Sequence, residues 1–231
     1  MLDLVYKDIV AARRLLWLVL PLGGVQIAGM AFVPLVYIIT ALTFSALLAF
    51  GSIALEEGQR TELLWNSLPV SRAEFVAARY LTTLIGMLAA LILSWALAQA
   101  VTRLASGAAD GPAGLLGLEA HALLFGFLAL GAAVYLPLYF RFGAGRGLLY
   151  LSAIAVAGLL IVSLVTQQIL AAKGYPSASA DPQAWRAVMT ELVEWVEPRF
   201  GRLLSLFVGA AALALGVSLL VSRRLYEARD L

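Results

Sequence analysis

From Gly147 to Ala172 the chain carries no charged side chain, and the run Leu148 to Leu170 is apolar almost throughout. A helix of roughly 20 such residues crosses a hydrocarbon layer about 30 Å thick. Inside that layer each peptide group must find its partner on the protein itself, so the run folds as a helix. Similar blocks recur at about 15–30, 35–54, 81–101, 119–139 and 203–221. The whole sequence is 62% hydrophobic and 13% charged, where a soluble domain holds roughly 25% charged residues. No single soluble core buries that excess. The expectation is an all-α integral membrane protein with six transmembrane helices, forming one domain over 1–231.

The segments between the blocks set the orientation. Eleven of the 16 Lys and Arg residues fall on one side of such a six-span arrangement, among them Lys7, Arg13, Arg14, Arg60, Arg72, Arg141 and Arg224. The five on the other side are Arg103, Lys173, Arg186, Arg199 and Arg202. Positive residues mark the cytoplasmic loops, so both termini are expected in the cytoplasm. Leu2, Val5, Ile9 and Val10 share one face of a short N-terminal helix lying at the interface. Lys7, Arg13 and Arg14 would anchor it to anionic headgroups. The acidic residues ahead of the first block, with no small-residue cleavage site after it, argue against a removable signal peptide. Between the fifth and sixth blocks, Trp185, Val188, Met189, Leu192, Trp195 and Val196 line one face of a periplasmic amphipathic helix. Asp181-Pro182 suits its start and Glu197-Pro198 its end.

Several chemistries are set aside by composition. With no cysteine and one histidine, His121, neither a thiol site nor a multi-histidine metal site is available. The phosphate-binding pattern GxxxxGK[ST] does not occur, and Gly143 to Gly147 reads as a turn. Adjacent Glu56 and Glu57 point about 100° apart on a helix, which favours a structural or partner-binding role over acid–base work. His121 reads as a satisfied residue at the outer end of the fourth span. No charged group sits near mid-bilayer, where an ion-coupled transporter keeps one. Gln26, Thr40, Thr43, Ser45, Ser94, Gln99, Ser163, Thr166, Gln167 and Gln168 are the polar residues of the spans, and the simplest role for them is hydrogen bonding between helices. The chain is not expected to be an enzyme, to carry a cofactor or to bind nucleic acid.

The most informative segment is Leu55 to Tyr80, between the second and third spans. Leu63, Leu64, Phe75 and Val76 recur at helical spacing, interrupted at Leu68-Pro69-Val70-Ser71-Arg72. Pro69 has no amide hydrogen and pushes Leu68 towards extended geometry, so a first short helix stops there. Ser71 followed by Glu74 is a capping-box pattern, which starts a second helix running into the membrane. Helix, break and helix along a membrane surface suit the reception of a partner.

Glu56-Glu57, Thr61-Glu62, Leu64, Ser67-Leu68-Pro69-Val70-Ser71-Arg72, Glu74, Val76 and Arg79-Tyr80-Leu81 resemble the corresponding loop of ABC-2 type ABC transporter permeases, the type V exporter-like transmembrane subunits with a separate ATPase. Leu136 to Gly143, LPLYFRFG, resembles a second family segment, and the order of spans agrees over most of the chain. The resemblance implies a cytoplasmic coupling helix within Glu56 to Leu68 that docks on the ATPase subunit. Leu64, Trp65 and Leu68 would be its apolar anchors, with Glu57, Arg60 and Arg72 as the charged rim. Glu56, Thr61 and Pro69 belong to the same segment. It also implies ATP and magnesium on the partner, a second permease copy or paralogue completing the pore, and a bacterial inner-membrane location. The function implied is export of a peptide, lipid-like or antibiotic substrate. The alternatives are a membrane anchor or assembly factor without transport, and a secondary transporter, which the uncharged interior disfavours.

Overall fold

The structure, a computed structural model, describes residues 21, 34–58, 71–104, 117–172, 190 and 194–228. Five long helices run through them: α1 Pro34–Gly58, α2 Arg72–Leu104, α3 Leu118–Phe142, α4 Ala144–Ala172 and α5 Phe200–Glu227. No strand occurs among the described residues. Four of the helices, α2 to α5, are long and apolar enough to cross a membrane, while the apolar core of α1 is the shorter stretch Ile38–Gly51. The first expected span, apart from Pro21, lies outside the described residues, as do Lys7, Arg13 and Arg14 before it. So does most of the expected amphipathic helix around Trp185.

Helix boundaries follow local chemistry. The backbone N–H of Glu74 donates to Ser71 Oγ at 3.2 Å, and the N–H of Ser71 donates to Glu74 Oε2 at 3.1 Å. This reciprocal pair satisfies two amides at the helix entrance and starts α2 where the sequence pattern placed it. The expected basic turn between the fourth and fifth spans, Arg141 to Gly147, is far tighter than its composition suggested. Only Gly143 leaves the helical conformation, at φ 87° and ψ 170°. That region is nearly closed to any residue with a Cβ, so one glycine reverses the chain. Its N–H bonds to the Tyr139 carbonyl at 2.8 Å, and its own carbonyl accepts from Gly147 at 2.9 Å. At the other end Glu197–Arg199 forms a single 3-10 turn that leads directly into α5.

The most extensive packing is between α3 and α5; α1 lies on α2, and α4 touches α3. A Cβ added at Gly126 would collide with the Phe207 ring, which is why α3 and α5 can lie so close. Ala41 and Ile53 of α1, Val76 and Met87 of α2, Leu128, Leu136 and Phe140 of α3 and Ala211 of α5 form a continuous apolar core. In contrast, every residue of α4 from Ser152 to Gln168 is exposed. A helix apolar on all faces and yet exposed is compatible with lipid as its solvent, not water.

Candidate functional site

At one end of the bundle the start of α2 meets the ends of α3 and α5. Arg72, the first residue of α2, donates from Nη1 to the carbonyl of Glu227 at 2.9 Å and to that of Tyr226 at 3.5 Å. These are among the last carbonyls of α5, which lack the donor four residues on that carbonyls of the helix interior have. A cation there also meets the negative end of the helix dipole, a contribution of about 0.3–1 kcal/mol at an exposed position. Behind this cap three aromatic rings close the joint. Phe75 stacks on Tyr226 with centroids 5.5 Å apart, and Phe140 meets Tyr226 edge-on at 5.4 Å. The Arg79 guanidinium, 3% exposed, lies over the Phe75 ring at 5.3 Å.

Two turns further in, a line of hydroxyls joins the same three helices. Pro137 lies inside α3, and because proline has no N–H the carbonyl four residues earlier loses its helical donor. That carbonyl belongs to Ala133, and Ser218 of α5 donates its hydroxyl to it at 2.7 Å. Ser218 has only one proton, so Tyr80 of α2, 2.6 Å from Ser218 Oγ, must be the donor in that contact. The Ser222 hydroxyl, 2.8 Å from the Tyr80 oxygen, then donates to it. The proton order is therefore Ser222 to Tyr80 to Ser218 to Ala133. A helical defect in α3 is repaired by α5, and α2 is bound into the repair.

Several of the residues expected to hold the helices together do other things. Thr43 donates to the Ile39 carbonyl of its own helix at 2.7 Å. Ser45 and Ser94 are fully buried, and their hydroxyls have no hydrogen-bond partner among the described residues. Ser163, Thr166, Gln167 and Gln168 are exposed on α4. Tyr80, Ser218 and Ser222 make bonds between helices that the reading of the sequence passed over. Two signals pointed to them: a proline inside a span, and serines at positions 218 and 222 on one face of α5. His121 is also more enclosed than its interfacial position suggested, at 8% exposed. Its Nδ1 donates to the Gly117 carbonyl at 3.0 Å.

Of the expected coupling residues, Glu56 and Glu57 fall in the last turn of α1 and Arg72 opens α2. Arg60, Thr61, Leu64, Trp65, Leu68 and Pro69 lie outside the described residues. The structure brings Glu56, Glu57 and Arg72 to the same end as the Gly143 turn and the close of α5, three places that charge counting had put on one side. Arg72 is exposed and spends a guanidinium nitrogen on α5, so it is a structural cap as well as a candidate rim charge. Among the described residues no group of three or more His, Asp or Glu gathers as a metal site.

Residues 3–227 match a family model described as ABC-2 family transporter protein. No curated protein and no solved structure matches the chain significantly. The match covers nearly the whole sequence and agrees with a bundle of long apolar helices: the chain belongs to the ABC-2 family of transporter proteins, as a multi-pass membrane component.

Proposed function

We propose that the chain is the transmembrane permease subunit of an ATP-driven exporter. It moves a peptide, lipid-like or antibiotic substrate outward through a pore completed by a second copy or a paralogue. ATP and magnesium are bound and turned over on a separate ATPase subunit, and the permease holds no cofactor. The segment Glu56 to Arg72 is the docking surface, with Leu64, Trp65 and Leu68 as anchors and Glu57, Arg60 and Arg72 at the rim. The setting is a bacterial inner membrane with both termini cytoplasmic.

The observation that carries this reading beyond family membership is the joint at Arg72. A partner pulling on residues 59–70 acts on the first turn of α2, where Arg72 is hydrogen-bonded to the end of α5 and Phe75 packs on Tyr226 of α5 and Phe140 of α3. Force applied at the loop reaches three helices together. Apolar anchors dominate the stability of such a contact, while rim charges mainly set orientation.

The test is assembly. Leu64→Glu combined with Trp65→Glu should abolish co-purification of the ATPase subunit while the chain still inserts in the membrane. Normal assembly and export in the double variant would remove the docking surface from this segment.

A further inference from the structure

α1 and α2 meet along a seam of small residues. A Cβ at Gly86 of α2 would stand 3.1 Å from the Leu48 carbonyl oxygen and 3.3 Å from Ala49 Cα, so the two backbones almost touch there. The helices are antiparallel, and this contact sets their register. One and two turns beyond Gly86 on α2 come Ala90 and Ser94; one and two turns before Ala49 on α1 come Ser45 and Ala41. Ala90 therefore stands opposite Ser45, and Ser94 opposite Ala41. Ala41, Ser45, Ala49, Ala90 and Ser94 are each at most 1% exposed. Small residues four apart let helix backbones approach closely in a membrane.

Close packing does not account for the two serines. The hydroxyls of Ser45 and Ser94 are buried with no hydrogen-bond partner among the described residues, and a buried donor left unmet is costly. In this register each stands opposite an alanine, whose side chain offers neither donor nor acceptor. Yet the two serines are only one turn out of register with each other. A shift of α1 along α2 by four residues, about 6 Å at about 1.5 Å per residue, sets Ser45 opposite Ser94. The same shift sets Ala49 opposite Ala90 and Ile53 opposite Gly86, so small residues still meet and the larger side chain falls on the glycine. A shift of four residues the other way sets Ser45 opposite Gly86 and Ala41 opposite Ala90, and pairs no serine with another. The inner end of α2 is tied to α5 by Arg72 and Tyr80, which makes α1 the moving member. Its favoured shift is towards the end of the bundle away from Arg72.

We propose that α1 occupies two registers on α2, one helical turn apart, and that a hydrogen bond between Ser45 and Ser94 holds the second. Both registers belong to the chain alone; only their use, as the stroke by which a partner on residues 59–70 moves the bundle, rests on the exporter reading. The chain has no cysteine, so introduced pairs report register through disulfide formation, which requires Cα atoms within roughly 7 Å. Three pairs are oxidised with copper phenanthroline in the full chain, in nanodiscs without ATP, and the disulfides are counted by mass spectrometry. Ser45→Cys with Ala90→Cys reads the register described above and should close fastest. Ala49→Cys with Ala90→Cys reads the shifted register and should close more slowly but to completion. Ala41→Cys with Ala90→Cys is displaced equally in the opposite direction and should close about tenfold more slowly again, its Cα atoms staying out of reach. Equal rates for the two displaced pairs would show undirected loosening of the seam and overturn the proposal. Adding Ser94→Ala should slow the Ala49→Cys, Ala90→Cys pair about threefold, the worth of one hydrogen bond between helices in a membrane. It should leave the Ser45→Cys, Ala90→Cys pair unchanged, which separates loss of the bond from loss of the seam. No slowing, or equal slowing of both pairs, overturns the role of the serines. A chain that shifts register but binds no ATPase keeps this inference and sinks the exporter; one that binds the ATPase and never closes the shifted pair does the reverse.

Discussion

The two ends of the α2–α3–α5 group are built on opposite plans. At the Arg72 end a guanidinium cap, stacked rings and a line of hydroxyls hold all three helices in contact. At the other end α3 and α5 still touch through Gly126 and Phe207, but a cavity intervenes between them and α2. The difference shows how apolar helices are fixed in a solvent as apolar as themselves. Burial of hydrocarbon gives little preference there, so close packing and internal hydrogen bonds decide which helices stay together. Where those bonds exist the helices form one unit, and where they stop space opens.

The largest predicted effect comes from breaking the contact between α3 and α5 at the cavity end. Gly126→Val drives a side chain into Phe207 and should cost about 3 kcal/mol, the upper end for overpacking, read as a lower unfolding midpoint in detergent. Tyr80→Phe removes two hydroxyl contacts at the tied end and should cost about 1.5 kcal/mol in the same assay. Ser218→Ala should cost about 1 kcal/mol, and the cost should shrink in a Pro137→Ala background, where α3 regains its own donor for Ala133. A double-mutant cycle reads that coupling, and strict additivity would dissolve the link between the proline and the serine. Arg72→Ala, at an exposed cap, should cost about 0.5 kcal/mol. Its stability effect is the smallest of the set.

Much of this contrast was legible beforehand, but unevenly. Ser71 and Glu74 announced the start of α2 because a capping box is a local device, complete within four residues. The apolar blocks announced α2 to α5 because length and hydropathy are properties of one helix. The turn at Gly143 was visible as a place, but its sharpness depended on a backbone conformation that composition does not encode. The line Ser222, Tyr80, Ser218 and Ala133 is different in kind. A hydroxyl on an apolar helix can face lipid, its own backbone or a neighbour, and only the packing of three separate helices decides. Thr43 took its own backbone and Ser218 a neighbour, though both stand on apolar helices. The one signal with physical force was Pro137, since an interior proline leaves a carbonyl that must find a donor elsewhere. Most of the expected coupling segment, Arg60 to Pro69, lies outside the described residues, so its role stands on resemblance and on the joint beside it.

The most direct test of the account is the energy source of transport. The chain and the ATPase subunit proposed to pair with it are placed in inside-out proteoliposomes, and movement of a fluorescent lipid-like probe into the lumen is followed. The account predicts accumulation that requires ATP and magnesium and is lost with Leu64→Glu, Trp65→Glu. Accumulation driven by a proton gradient in vesicles without ATP would contradict it and return the chain to the secondary transporters.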